Sequence, residues 1–206
     1  MGVTVGFDLD MTLIDPRPGM IAAMDALAEE TGLAIDGEHF AANLGPPLDM
    51  VFRGFGVPES ELSDLVARFR ALYPTVVIPV TVPLPGAVEA LEAVRAVGGK
   101  TVVVTGKYGP NAARHLAHFG WEVDDLVGDL WSTAKADALR AHGASVYVGD
   151  HIGDVRGALA AGAIAVGVTS GPCSAAELAG EGAHTVLSSL AEFPTWLAAH
   201  LCRSAG

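Results

Sequence analysis

Apolar positions along the chain change period as it proceeds, and the changes divide it into regions. Val3, Val5 and Phe7 form an apolar run that predicts a short buried strand ending at Phe7. From residue 15 to residue 82 the period is helical. Met20, Ile21, Met24, Leu27 and Ala28 share one stripe, and Leu62, Leu65, Val66, Phe69 and Tyr73 share another. Pro46-Pro47 and Gly54-Phe55-Gly56 break this region into short helices. Pro74, Pro79, Pro83 and Pro85 predict a linker near residues 74–85.

After residue 86 short apolar runs and helical stripes alternate. Val88, Leu91, Val94 and Val97 predict an amphipathic helix closed by Gly98-Gly99. Thr101–Val104, Leu126-Val127, Val146–Val148, Ile164–Val168 and Thr185–Leu187 read as strands. Helices are predicted over 112–119, 135–142, 155–161, 175–179 and 190–201. Strands that are apolar throughout and separated by helices predict a parallel sheet covered on both faces. The expected organisation is an α/β core of residues 1–14 and 83–206, with residues 15–82 as a helical insert after the first strand.

The chain has 206 residues, half of them hydrophobic, which is enough to bury a sizeable core. A formal charge of -12 argues against nucleic acid or an anionic membrane as partner, because no basic patch is available. A small anionic substrate sees only the local field and stays compatible. Cys173 and Cys202 lack CxxC spacing and are too few for a disulfide framework, which fits a reducing compartment. No apolar run reaches membrane-span length, and no signal-peptide pattern stands at the N-terminus, so a soluble cytoplasmic protein is expected. Monomer and homodimer both stay open.

Three predicted strands end in polar residues. Asp8-Leu9-Asp10 follows the first, Thr105-Gly106-Lys107 follows Val102–Val104, and Gly149-Asp150-His151-Ile152-Gly153-Asp154 follows Val146–Val148. Alone, the first pair of acids reads equally as a polar loop in which one Asp caps the next helix. In a parallel sheet, however, these strand ends share one edge, where open α/β sheets place their ligands. Lys135, at the start of a predicted helix, can join them. Four converging carboxylates would raise one another's pKa, and a hard dication such as Mg2+ would relieve the repulsion. Nucleophile, proton carrier, metal and donors for phosphoryl oxygens are together the kit for phosphoryl transfer.

Asp8-Leu9-Asp10-Met11-Thr12-Leu13, Thr105, Lys135 and Gly149-Asp150…Asp154 resemble, in order, the four motifs of the haloacid dehalogenase-like superfamily. The helical insert, Pro83-Leu84-Pro85-Gly86, Val104–Lys107, Ala161-Gly162 and Val166-Gly167-Val168 resemble its phosphoglycolate-phosphatase-like branch, which carries a small cap. The resemblance implies a Rossmann-like three-layer core with a helical cap. It implies a Mg2+-dependent phosphatase that hydrolyses a small phosphorylated metabolite, phosphoglycolate or a sugar phosphate, through an aspartyl-phosphate. Asp8 would be the nucleophile and a metal ligand. Asp10 would protonate the leaving oxygen and then activate water, its backbone carbonyl binding metal. Thr105 and the Gly106 amide would hold phosphoryl oxygens, with Lys135 neutralising nucleophile and phosphate. Asp150 would ligate the metal, and Asp154 would complete that site or hold Lys135. Dehalogenases of the superfamily lack an acid at the position of Asp10, so its presence points to phosphatase chemistry. Two departures stand out. Met11 replaces the usual Gly and would be strained at positive φ, and Ala136 follows Lys135 where Pro is frequent. A phosphomutase, or a phosphometabolite-binding protein without turnover, is the alternative.

Substrate choice is expected in the insert. Arg17 and Arg53 are the candidates to contact the substrate away from phosphate, with Met11 able to line the pocket. Arg68 and Arg70 are expected to face solvent. Gly98-Gly99-Lys100-Thr101 resembles the end of a P-loop but precedes a strand instead of following one, and residue 94 is Val. His115 and His118 read as a surface helix face, His151 as a solvated or supporting neighbour of Asp150, and Cys173 as a residue near the pocket rim.

Overall fold

The computed structural model describes residues 2–204, and residues 1, 205 and 206 at the ends of the expected core segments lie outside the described residues. Strand β1 (Thr4–Phe7) is buried along its whole length. The chain then turns through the acid-bearing loop into β2 (Ile14–Asp15) and the helices α1 (Arg17–Thr31), α2 (Gly37–Ala42), α3 (Leu48–Gly54) and α4 (Glu59–Val76), returning through β3 (Val82–Pro83). The remainder alternates: α5 (Ala87–Ala96), β4 (Lys100–Val104), α6 (Gly109–Phe119), β5 (Asp125–Val127), α7 (Lys135–Ala141), β6 (Val146–Gly149), α8 (Ile152–Ala161), β7 (Ile164–Val168), α9 (Ala175–Gly180), β8 (Thr185–Leu187) and α10 (Phe193–Ser204).

Six strands form one sheet in the order β5-β4-β1-β6-β7-β8, and every neighbouring pair is parallel. Alternation along the pleat sends side chains to two apolar layers. Phe7, Val103 and Val148 pack with Leu91, Leu116 and Phe193 on one face. Val102, Val104 and Tyr147 pack with Leu139 and Val155 on the other. The expected Rossmann-like parallel sheet between two helical layers is therefore what the chain builds.

The helical segment has its own apolar cluster, in which Met20, Met24, Leu27, Phe40, Phe52, Leu65, Phe69 and Tyr73 are buried. Met11, from the acid-bearing loop, belongs to this cluster as well. Helix α4 continues through Pro74 and ends two residues later, at Val76. Beyond it, β2 and β3 pair antiparallel, Ile14 against Pro83 and Asp15 against Val82. The chain therefore leaves and re-enters the sheet region side by side. Strands of two residues leave no period in a sequence, so this ribbon was invisible there.

Candidate active site

The parallel register fixes where the polar residues emerge. Phe7 aligns with Val103 of β4 and with Val148 of β6. The residues that follow these strands, Asp8, Thr105 and Asp150, therefore leave the same sheet edge. The Asp8 N–H donates to the Val148 carbonyl at 2.9 Å, and the Thr105 N–H to the Val127 carbonyl at 2.9 Å. The ladder thus extends one residue into each loop before the chains diverge.

Lys135, at the first turn of α7, reaches into this edge with its side chain 1% exposed. Its Nζ lies 2.6 Å from Asp154 Oδ1 and 3.1 Å from Asp8 Oδ1, and it donates to the Tyr147 hydroxyl at 2.8 Å. Tyr147 in turn donates to the Val104 carbonyl at 2.5 Å, which ties the ammonium to the central strands. Burial alone would strip the proton from Lys135, but Asp154 and Asp8 outweigh it and hold the amine charged. Asp150 accepts from the Thr12 hydroxyl at 2.7 Å. Its carboxyl is pushed well above the ordinary range by burial, and then by Asp154 and Asp8. Burial raises Asp8 too, opposed by Lys135.

Asp8, Asp150 and Asp154 each offer an oxygen within 4.8 Å of the others. One ammonium faces three crowded carboxylates, an all-oxygen set that fits a hard dication. The loop after β7 closes over Asp150 so tightly that a Cβ on Gly171 would lie 1.8 Å from Asp150 Oδ2.

Asp10 points elsewhere. Its Oδ2 lies 2.8 Å from Lys107 Nζ, while its Oδ1 is buried with no hydrogen-bond partner among the described residues. Lys107 also donates a short hydrogen bond to the Tyr73 hydroxyl, which bonds His115 Nε2 at 2.8 Å. Burial raises the Asp10 carboxyl and lowers the Lys107 amine, each opposed by the other's charge. His115 is fully buried, and burial drives its pKa down to about 2. The surface histidine expected on α6 is thus an interior one, packed edge-on against Tyr73.

A cleft of about 940 Å³ opens above both groups, between the sheet edge and the helical insert. Asp8, Asp10, Thr105, Gly106, Lys107 and Asp150 form its floor. The turn Gly45-Pro46-Pro47 reaches down to it. A Cβ on Gly106 would meet the Gly45 carbonyl at 3.3 Å, and Gly45 itself, at φ 142°, sits against the Trp131 ring.

Among the specificity candidates, Arg53 lines the cleft, but its guanidinium is held by Asp49 at 2.5 Å and by Glu59 at 2.9 Å. Arg17 pairs with Asp15 at 2.6 Å and is not among the lining residues. Met11 adopts φ 57° with its side chain 2% exposed in the insert's cluster, and it does not line the cleft. Arg68 faces solvent with Glu30 and Asp64. Arg70, expected there too, lines the cleft and lies over the Tyr108 ring at 3.8 Å. His151 lines the cleft beside Trp131 and caps α8 through the Gly153 amide. Cys173 is buried near the cleft, and burial first, then the nearby acids, raises its thiol pKa.

Comparison with known proteins places this arrangement. Residues 5–126 match the family described as haloacid dehalogenase-like hydrolase, and residues 127–193 match a second described as HAD-hydrolase-like. The chain is 31% identical over 190 residues to a phosphoglycolate phosphatase of Caulobacter vibrioides, covering 82% of this chain and 80% of that one. It is 32% identical over 171 residues to tyrosine-protein kinase PtkA of Mycobacterium tuberculosis, covering 76% of this chain and 58% of that protein. The crystal structure of a predicted phosphatase from Clostridium acetobutylicum superposes with a TM-score of 0.84 at 24% identity, over 96% of this chain and 99% of that one.

Proposed function

The chain belongs to the haloacid dehalogenase-like hydrolase family, and from that premise we propose that it is a Mg2+-dependent phosphatase. Its substrate is a small phosphomonoester, phosphoglycolate or a sugar phosphate, hydrolysed through an aspartyl-phosphate at Asp8. The observation that carries this reading is the convergence of Asp8, Thr105, Lys135, Asp150 and Asp154 on one sheet edge beneath a cleft.

In the first step an Asp8 carboxylate oxygen bonds to phosphorus. The bond to the leaving oxygen breaks, and Asp10 gives that oxygen its proton. In the second step Asp10 takes a proton from water as the water oxygen bonds to phosphorus, and the bond to Asp8 breaks. A carboxyl raised by burial suits the first role, and its conjugate base suits the second. The Thr105 hydroxyl and Gly106 amide hold phosphoryl oxygens, while Lys135 balances the charge at Asp8. Asp8, Asp150, Asp154 and the Asp10 carbonyl would hold Mg2+, which supplies neutralisation of the phosphoryl charge. Residues 15–82 act as a cap that closes the cleft and excludes bulk water. Two free cysteines support a reducing, cytoplasmic setting.

The test is phosphate release from a panel of phosphorylated metabolites and an aryl phosphate, with and without Mg2+. Metal-dependent release that disappears in Asp8→Asn supports the reading; wild-type-like rates in that variant, rigorously purified, would refute the covalent mechanism. The identity to a protein named as a tyrosine-protein kinase favours a second reading, in which a hydroxyl replaces water as acceptor. A mutase would be one form of it. Phosphorylated acceptor without free phosphate would identify that chemistry.

A further inference from the structure

We infer that Lys107 and Tyr73 are positioning residues for Asp10, so that docking of the helical insert is what holds the acid in place for proton transfer. The inference deepens the phosphatase reading and rests on it. It starts from an asymmetry within one carboxyl group. Asp10 Oδ2 is taken by Lys107 at 2.8 Å, while Oδ1 has no hydrogen-bond partner among the described residues. Lys107 therefore anchors the carboxyl by Oδ2 and leaves Oδ1, itself buried, without a partner among those residues.

What holds Lys107 comes from the other side of the cleft. Its ammonium donates to the Tyr73 hydroxyl and lies 4.6 Å from the centre of the Tyr73 ring. A phenol that accepts from an ammonium has its own proton left to give, and His115 Nε2 is in place to accept it at 2.8 Å. His115 must then be neutral with its proton on Nδ1, in keeping with a ring that burial keeps uncharged. Every donor in the chain runs outward from Lys107.

The elements involved make this a coupling device. Asp10, Lys107 and His115 belong to the sheet region and α6, whereas Tyr73 belongs to α4 of the insert. Tyr73 is fixed on the insert side by edge-on contact with Phe69 at 5.8 Å, and Phe69 by Phe40 at 6.1 Å. When the insert moves away, Lys107 loses its hydroxyl partner and its aromatic cover together. Its flexible stem is then free to leave Asp10. Acid chemistry is thereby confined to the closed state, from which bulk water is excluded.

The experiment separates steps that need the acid from one that does not. Tyr73→Phe keeps the ring and removes the hydroxyl; Lys107→Met removes the charge. Each is mixed rapidly with p-nitrophenyl phosphate and with the best alkyl phosphate from the panel, and thermal melting is recorded alongside. A nitrophenolate leaves without a proton, so Asp10 serves only the water step for that substrate. The expected result for Tyr73→Phe is a burst of nitrophenol near one equivalent, followed by turnover slowed roughly tenfold. The alkyl phosphate should show no burst and a first step slowed by about 10- to 100-fold. Lys107→Met should show the same split, larger. A general structural role would shrink the burst amplitude or slow both substrates equally. Equal losses, or unchanged rates on both, overturn the inference while leaving the phosphatase reading intact. Absence of turnover by the wild-type protein itself removes both.

Discussion

Two buried lysines pair with carboxylates of this site, and their environments differ in a way that separates the halves of the molecule. Lys135 and Lys107 have nearly the same exposure, 1% and 3%. Lys135 faces two carboxylates, Asp8 and Asp154, and its pKa is raised above the usual amine value. Lys107 is paired with one, Asp10, and its pKa falls below it. Burial acts in the same direction on both; Lys135 has two carboxylates in direct contact to oppose it, whereas Lys107 has Asp10 in contact and feels Asp8 only from further away. Lys135 is also fastened by Tyr147 to the central strands, whereas Lys107 leans on Tyr73 from the insert. The half of the site around Asp8 and Asp154 is thus built into the sheet, and the half around Asp10 is completed by Tyr73 from the helical insert.

The sharpest way to break this comparison is to remove each lysine and measure stability. Lys135→Met leaves Asp8 and Asp154 buried without their cation and should cost about 3–5 kcal/mol. For a domain of this size that is a fall in Tm of roughly 10 °C. Lys107→Met abandons one carboxylate, which can take up a proton, and should cost no more than about half as much. If melting ranked the two variants in the opposite order, the assignment of the rigid half to Lys135 would fail.

A second effect is smaller and depends on pH. Asp150 and Asp8 are both held above the ordinary carboxyl value of 3.8. A group whose folded pKa is raised contributes stability that is complete below its unfolded value and lost as pH rises through its folded value. The metal-free protein should therefore lose stability as pH climbs out of the acid range, by up to about 1.4 kcal/mol per group per pH unit. Mg2+ favours the ionised carboxylates and should cancel the slope. Melting with chelator and with Mg2+ between about pH 5 and 8 checks this. The stabilisation by Mg2+ should grow with pH; a constant increment would show that the triad does not hold the ion.

These halves were not equally legible in the sequence. The sheet-edge residues were, because β4 and β6 are apolar on both faces and the polar residues after them stand out. Parallel register then brings them together without further information. The acid half was hidden by its own periodicity. Tyr73 fits the apolar stripe of α4, and the stripe says nothing about where a hydroxyl points. His115 occupies the inner stripe of α6 beside Ala112 and Leu116, a signal that was present but was outweighed by the usual exposure of histidine. Lys107 stood next to Thr105-Gly106, yet its partners lie 34 residues away at Tyr73 and on the acid loop at Asp10. Arg53 stands on the cleft wall, and its pairing with Asp49 was legible as an i, i+4 spacing on α3.

The smallest effect tests the seam itself, at Met11. A non-glycine residue at φ 57° costs about 1 kcal/mol relative to glycine. Against that, its side chain is buried in the insert's cluster although its backbone belongs to the acid loop, where its carbonyl accepts from Ser170 Oγ at 2.5 Å. Burying a methionine contributes about 1.5–3 kcal/mol. Met11→Gly relieves the strain and removes the packing, so the two effects nearly offset, with a net loss of about 1 kcal/mol or a few degrees in Tm. The loss should be local. Amide exchange should quicken in α1 and α4 while β1, β4 and β6 stay protected, because the strands keep every contact they had. If Met11→Gly were more stable and exchange in α1 and α4 unchanged, the methionine would be a strained residue with no hold on the insert. Contact across the cleft would then rest on other residues, Tyr73 with Lys107 and Arg70 with Tyr108 among them.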